Sequence, residues 1–262
     1  MSHILTLLKK CIYTCSRPLR KLRGHMPPQV DIHEIYMENL SSSFQNCRLA
    51  VVSDVHLPDT FSSTAQILQA VNDANVQYIV LPGDITNRYG KYPADKLTQF
   101  LQALVDIAPV FAIVGNHEKK SKNYADICSV MTASGVTLLR DAWDHLQIGG
   151  EKLPIYGMCD NFDTPQQMYT PSLLLVHYPH KVPPLANTGF SLAIAGHAHG
   201  GQIRIGKQGM YAPGQGFFPR YTDGVYSIGK IQLLVSRGLG DSSLPLRIHN
   251  APHLPIIVLK KK

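Results

Sequence analysis

Seven residues of metal-ligating type stand just behind five short apolar runs. Leu49 to Ser53 leads into Asp54 and His56, Tyr78 to Pro82 into Gly83 and Asp84, and Val110 to Val114 into Gly115, Asn116 and His117. Leu173 to Val176 leads into His177, and Leu192 to Ala195 into Gly196, His197 and His199. The set Asp54, His56, Asp84, Asn116, His177, His197 and His199 offers two carboxylates, one amide oxygen and four imidazoles. Mixed oxygen and nitrogen ligands without thiolate suit divalent first-row cations. Two such cations about 3.5 to 4 Å apart, sharing one carboxylate, supply a bridging hydroxide that attacks a phosphate ester at neutral pH. One histidine or aspartate alone is an ordinary hydrogen-bonded residue or a helix cap. Seven converging without a cation would lose several kcal/mol to desolvation and repulsion, so the register points to metal.

The elements that must position these residues are readable from the same runs. Continuous apolar runs are the signature of strands buried on both faces, and in open α/β sheets ligands gather outside the carboxyl ends of such strands. Helical patterns over 61 to 74, 95 to 106 and 121 to 134 supply crossovers that keep the first three strands parallel. The later half, from about 136 to 177 and from 192 to the end, is richer in short strands and turns and is expected to form a second layer. The sequence thus divides into a tail over 1–30 and one α/β sandwich domain over 31–262.

The motifs spell out a resemblance. Asp54-Val55-His56, Gly83-Asp84, Gly115-Asn116-His117-Glu118, His177 and Gly196-His197-Ala198-His199 match, in order and spacing, the five motifs of the calcineurin-like metallophosphoesterases. A narrower likeness continues through His199-Gly200-Gly201-Gln202, Ser236-Arg237-Gly238-Leu239-Gly240 and Leu244-Pro245-Leu246-Arg247, which is similar to the bacterial phosphodiesterases of the YkuE and YaeI type. The resemblance implies a layered α/β sandwich with two central mixed β-sheets flanked by helices. It places Asp54, His56, Asp84 and His199 on one cation and Asp84, Asn116, His177 and His197 on the other, with Asp84 bridging. His117 would then protonate the leaving oxygen or steady the phosphoryl charge, oriented by Glu118. For Glu118 a plain acid in the first turn of a helix is the other reading. Two positions depart from the subgroup: Tyr178-Pro179-His180 replaces Asn-Pro-Asp, and Ile85-Thr86-Asn87 does not end in an acid. Neither removes a ligand, and both lie at the rim of the expected site.

Arg237 and Arg247 are the candidate substrate-binding residues, because a guanidinium holds phosphate oxygens in pairs, with an internal salt bridge as the other reading. Gly206 to Gly229 is rich in glycine and holds Tyr211, Phe217, Phe218 and Tyr221. It is expected either to pack over a sheet edge or to form an apolar rim for a lipid chain.

Composition narrows the function further. Charged residues are 16% and hydrophobic residues 44% of 262, which excludes disorder and calls for a substantial core. Of the net charge of +7, +6 sits on Lys9, Lys10, Arg17, Arg20, Lys21 and Arg23, with no acid before residue 31. A body of charge +1 is not built to grip duplex nucleic acid. Apolar residues recur near the helical period between those basic ones, so the tail is expected to lie on an anionic membrane surface; its apolar stretches are too short to cross a bilayer. Five cysteines without paired spacing fit a reducing compartment.

The expected protein is a cytoplasmic phosphoesterase, peripheral on the inner face of the cell membrane, with two divalent cations, Mn²⁺ first and Fe or Zn²⁺ as alternatives. Its substrate would carry a phosphodiester or pyrophosphate bond, with UDP-2,3-diacylglucosamine as a lipid headgroup handled by members of the wider group. A non-catalytic protein-binding scaffold is the rival from another class, although such scaffolds typically lack the histidine matching His117. A protein phosphatase or nuclease of the same superfamily is the rival within the enzyme class.

Overall fold

The computed structural model describes residues 26–58, 60–240 and 247–262. Residues 1–25 of the tail, with all six of its basic side chains, lie outside the described residues, as do Leu244-Pro245-Leu246 of the last motif. The first strand among the described residues is β1 (Gln29–Met37). The body therefore starts within the span read as tail, because Gln29 and Val30 already pair with β16 (His253–Lys261).

The first sheet holds six strands in the order β1, β16, β2 (Arg48–Val51), β3 (Tyr78–Leu81), β4 (Val110–Ala112) and β5 (Thr137–Leu138). β2 to β5 are mutually parallel, joined through α1 (Thr64–Asp73), α2 (Ala94–Ile107) and, after β4, α3 (Asn116–Lys119) and α4 (Tyr124–Ala133). β16 runs antiparallel to β2 and parallel to β1. The C-terminal segment and β5 thus belong to the first layer, not to the second as their position in the chain implied. The reason is composition: Leu254 to Leu259 is almost unbroken apolar sequence, and all six residues are buried, which only a central strand can achieve.

The second sheet has the order β14 (Gly224–Ile228), β15 (Ile231–Val235), β9 (Leu192–Ala195), β8 (Leu173–Val176), β7 (Glu151–Met158) and β6 (Ala142–Ile148). Its four middle strands are parallel, and β14 and β6 are antiparallel edges, so both sheets are mixed. Two hairpins, β10 (Arg204–Ile205) with β11 (Gln208–Gly209) and β12 (Tyr211–Ala212) with β13 (Gly216–Phe217), interrupt the path from β9 to β14.

Alternation along each strand decides the layering. Leu192 and Ile194 of β9 join the main core, which contains Leu49, Ile79 and Ile256 of the first sheet, while Ala193 and Ala195 face a second core with Leu174, Val176 and Leu233. Helices close the first sheet with faces at helical spacing, such as Leu97, Phe100, Leu101 and Leu104 of α2. α1 starts at a capping box in which Ser63 Oγ accepts the Gln66 N–H and Gln66 Oε1 accepts the Ser63 N–H. Short 3₁₀ turns at Pro179–Lys181 and Pro183–Leu185 cover the second core through Val182 and Leu185. Among the described residues, no helix is long and apolar enough to cross a membrane.

Candidate metal centre

The carboxyl ends of β2, β3 and β4 meet those of β8 and β9, and all seven sequence-selected residues come together there. Five of them, Asp54, His56, Asp84, His197 and His199, have positive φ between 46° and 68°. That region costs a non-glycine residue about 1 to 3 kcal/mol and persists where surroundings hold it. Here the holding bonds are backbone pairs that continue the sheet past its strands: Asp54 N–H to Gly83 O at 3.1 Å, and His56 N–H to Asp84 O at 3.1 Å. The His197 N–H donates to both oxygens of Asp54, at 3.0 and 3.1 Å. Glycine precedes three of the ligand motifs, at Gly83, Gly115 and Gly196, because nothing larger fits. A Cβ on Gly115 would overlap Asp84 Oδ1, and one on Gly196 would overlap Ser53 Oγ and Asp54 Oδ2.

The donor atoms fall into two groups. In one, His199 Nε2 lies 3.2 Å from His56 Nε2 and 3.6 Å from Asp54 Oδ1, and His56 Nε2 lies 3.9 Å from Asp84 Oδ2. In the other, His177 Nε2 lies 3.1 Å from Asn116 Oδ1, 3.1 Å from His197 Nδ1 and 3.3 Å from Asp84 Oδ2. Asp84 Oδ2 belongs to both, while its Oδ1 accepts the His117 N–H at 2.7 Å. Ligands about 2.1 Å from one ion are themselves roughly 3 to 3.4 Å apart, so the spacing is that of coordination spheres. His177 Nε2 faces Asn116 Oδ1, His197 Nδ1 and Asp84 Oδ2 at once, and with at most one proton on that nitrogen the three contacts cannot all be satisfied as hydrogen bonds. The donor set therefore fits divalent cations of borderline hardness.

Electrostatics agree with that fit. Burial, reinforced by neighbouring histidines, holds His56, His197 and His199 well below the usual imidazole range, so their lone pairs are free of protons. His177 is the exception: burial opposes its protonation, but the Asp84 charge and hydrogen bond and the Asp54 charge outweigh it and raise the ring to about 9. Burial pushes Asp54 up to about 6. Burial also opposes ionisation of Asp84, yet His177 and His117 outweigh it and keep that carboxyl well below its ordinary range. A cation would replace the His177 proton, since ligand binding and protonation compete for one lone pair.

The His117 ring lies beside this cluster, its centroid 4.4 Å from that of His56. Its Nδ1 sits 3.2 Å from Asn87 Oδ1 and 3.4 Å from the Arg88 N–H, and burial lowers its pKa to about 4 against the pull of Asp84. Glu118 is not the partner of that ring. Its Oε2 accepts the N–H groups of Asp84 and Gly115, each at 2.9 Å, and its Oε1 accepts the Thr86 N–H at 2.7 Å. Glu118 thus ties together the loops after β3 and β4, and burial with the Asp84 charge raises it to about 7. Asn87 holds the ring instead. Its signal in the sequence is its place at the end of the Gly-Asp-Ile-Thr-Asn motif, where a neutral amide stands in place of an acid.

The two candidate substrate arginines touch, but their guanidinium groups serve different partners. Arg237 is 7% exposed and pairs with Asp223 at 2.9 Å and Asp31 at 3.6 Å, with Gln29 Oε1 at 3.0 Å. It is an internal salt bridge, and the phosphate reading is set aside. Arg247 lies beside the cluster, 3.5 Å from His199 Nδ1, and donates to the carbonyls of Arg237 and Gly240 at 2.9 and 2.7 Å. A cavity of about 250 Å³ opens over Asp84, Asn116, His117, His197 and His199, walled by Arg88, Lys120, Tyr178, His180, Pro213 and Gly214. The Tyr178 ring packs edge-on against His197 and His177, at 4.7 and 5.0 Å between centroids, and burial pushes its hydroxyl up to about 12. Arg88 and Lys120 supply positive charge that the sequence reading did not single out.

Comparison with known proteins follows the same residues. The chain is 30% identical to the metallophosphoesterase YkuE of Bacillus subtilis over 92% of its own length and 88% of the relative's. It is 27% identical to the phosphodiesterase YaeI of Escherichia coli over 61% of each chain. Its fold is similar to that of a 5'-nucleotidase precursor from Thermus thermophilus, with a TM-score of 0.50 at 14% identity, covering 82% of this chain and 54% of that one. The family model for calcineurin-like phosphoesterases matches residues 47–201, the span holding every donor described above. The chain belongs to the calcineurin-like phosphoesterase family.

Proposed function

We propose that the protein is a binuclear metal-dependent phosphoesterase acting on a phosphodiester or pyrophosphate bond. The observation that carries this reading is Asp84 Oδ2, 3.9 Å from His56 Nε2 in one donor group and 3.3 Å from His177 Nε2 in the other. Asp54, His56, Asp84 and His199 would hold one cation, and Asp84, Asn116, His177 and His197 the second. When bound, the pair supplies a nucleophile at neutral pH and neutralises phosphoryl charge. Mn²⁺ is the proposed metal, with Fe and Zn²⁺ as alternatives for the same donors.

The chain's own residues do the rest. With Nδ1 of His117 engaged by Asn87, Nε2 is the nitrogen left for the substrate; burial keeps the free ring neutral, and the negative charge of a bound phosphoryl group would draw the second proton onto Nε2 that steadies or protonates the departing oxygen. Arg88 and Lys120 line the cavity and favour an anionic ligand. Glu118 acts on the reaction only through the loops it holds. Arg247, packed beside His199, is the remaining arginine proposed to reach substrate.

For the substrate class we propose a membrane lipid headgroup joined through a pyrophosphate or diester, UDP-2,3-diacylglucosamine being one example. The protein would then work on the cytoplasmic face of the membrane, with the basic tail as an anchor. Stripping metal with a chelator and restoring Mn²⁺, Fe²⁺ or Zn²⁺ in an assay with a chromogenic diester tests the reaction. A metal-dependent rate supports it; no rate with any of the three sinks it and favours the scaffold. Comparing UDP-diacylglucosamine, a glycerophosphodiester and a monoester then tests the substrate class.

A further inference from the structure

The Gly206 to Gly229 segment resolves into two behaviours. Tyr221 and Ile228 are buried and pack on the second core. Phe217 and Phe218, by contrast, are 77% and 65% exposed, Tyr211 is 38% exposed, and Ile205 of the neighbouring hairpin is 69% exposed. Adjacent phenylalanines left this open at the base of a hairpin, away from its Pro213–Gln215 turn, are not core residues, and clustered exposed apolar side chains mark an interaction surface. The hairpin is built, not loose: the Phe217 ring meets Tyr211 edge-on at 5.5 Å, and the Phe218 N–H donates to Met210 O at 2.9 Å.

Charge says what kind of partner fits. From residue 164 to 222 the sequence contains no Asp or Glu, while Lys181, Arg204, Lys207 and Arg220 fall within it. Arg204 is buried and paired with Asp223 at 3.2 Å, but Lys207, in the turn of the first hairpin, and Arg220, two residues after Phe218, are exposed. Aromatic side chains interleaved with basic ones are the composition that inserts into the headgroup layer of an anionic bilayer, with each basic residue adding about 1 kcal/mol near such a surface.

The surface is tied to the metal cavity. The Met210 N–H donates to Gly201 O at 3.2 Å and Arg204 Nη1 to Gly200 O at 3.0 Å, so both hairpins hang on the turn that carries His199. Gly214, in the turn between β12 and β13, lines the cavity and packs on the His180 ring. Phe217 follows Gly214 by three positions, at most about 10 Å of chain.

We infer that the hairpins β10–β11 and β12–β13 form a membrane-contact surface, with Ile205, Tyr211, Phe217 and Phe218 entering an anionic bilayer beside the catalytic cavity. This surface is separate from the basic tail and holds whatever bond the centre cleaves. The test is flotation of the full-length protein with vesicles of phosphatidylcholine, alone and mixed equally with phosphatidylglycerol. It is run in a background where Lys9, Lys10, Arg17, Arg20, Lys21 and Arg23 are changed to Gln, to remove the tail's attraction. That background should still bind the mixed vesicles, and Phe217→Ser with Phe218→Ser should weaken binding by roughly tenfold or more, the scale of losing two buried aromatic side chains. Phe218→Trp should bind like its parent, and the introduced indole should shift to shorter emission wavelength on mixed vesicles. Absence of binding in the tail-neutralised background, equal binding by the serine variant, or no emission shift would each overturn the proposal. So would a vesicle-free dimer that the serine variant converts to monomer, which would make the patch a contact between copies. Because no turnover is measured, the outcome is independent of the phosphoesterase reading.

Discussion

Asn87 Oδ1 lies 3.2 Å from Nδ1 of His117. That contact fixes which ring nitrogen faces the cavity, and a partner that orients a catalytic ring is worth about 10- to 100-fold in activity. Asn87→Leu should therefore lower kcat by about that factor with metal content near wild type. Asn87→Asp keeps the contact but adds a charge that favours the protonated ring, so its pH–rate profile should move to higher pH. A wild-type profile in both variants would remove Asn87 from the mechanism.

Removing the ring itself is the harsher test. His117→Ala should retain both cations and lose about 10² to 10⁴ in rate, the span of general acid catalysis. Metal analysis beside steady-state kinetics separates the two effects, and unchanged turnover would exclude His117.

Asp84 is shared by both donor groups, so its loss should not be local. Asp84→Asn is expected to deplete both metal positions together in elemental analysis of the purified protein. Depletion of one position alone would mean that the carboxylate does not bridge.

Gly196 offers a steric version of the same question on the other side of the site. The methyl of Gly196→Ala would overlap Asp54 Oδ2 and Ser53 Oγ, and overpacking of this kind costs about 1 to 3 kcal/mol. The expected result is a lower melting temperature together with weaker metal binding, read by thermal unfolding at rising metal concentration. A variant as stable and as metal-replete as wild type would show that Asp54 has room to move.

Burial pushes the Cys47 thiol up to about 12 and that of Cys159 up to about 11. Thiolate is the reactive form, so both should resist iodoacetamide at pH 8 in the native protein and react after denaturation. The unfolded thiols ionise near 9 and the folded ones later. Their contribution to stability is therefore full below pH 9 and is lost as pH rises toward 11 to 12. Peptide mapping after native alkylation, and unfolding curves above pH 9, check the two halves.

The site was largely legible in the sequence because its donors arrive in contiguous motifs, each placed by the strand just before it. β8 and β9 coincide with the runs read for them, and α2 extends the reading of 95 to 106 by one residue at each end. What stayed hidden depended on partners far along the chain. Nothing local in Arg237 reveals that Asp223 and Asp31 neutralise it. Glu118 stands next to His117 in sequence, yet the helical turn points its carboxylate at the backbone of Asp84, Thr86 and Gly115. The exposure of Phe217 and Phe218 was equally invisible, since aromatic residues have the same identity in a core and on an exposed hairpin.

β16 sits between β1 and β2, in the interior of the first sheet. Until residues 253 to 261 emerge from the ribosome, β1 has no neighbour and β2 has an open flank, so the platform beneath Asp54 and His56 cannot close during synthesis. Clipping that strand should therefore leave a chain that fails as a whole, although none of the seven donor residues lies in it.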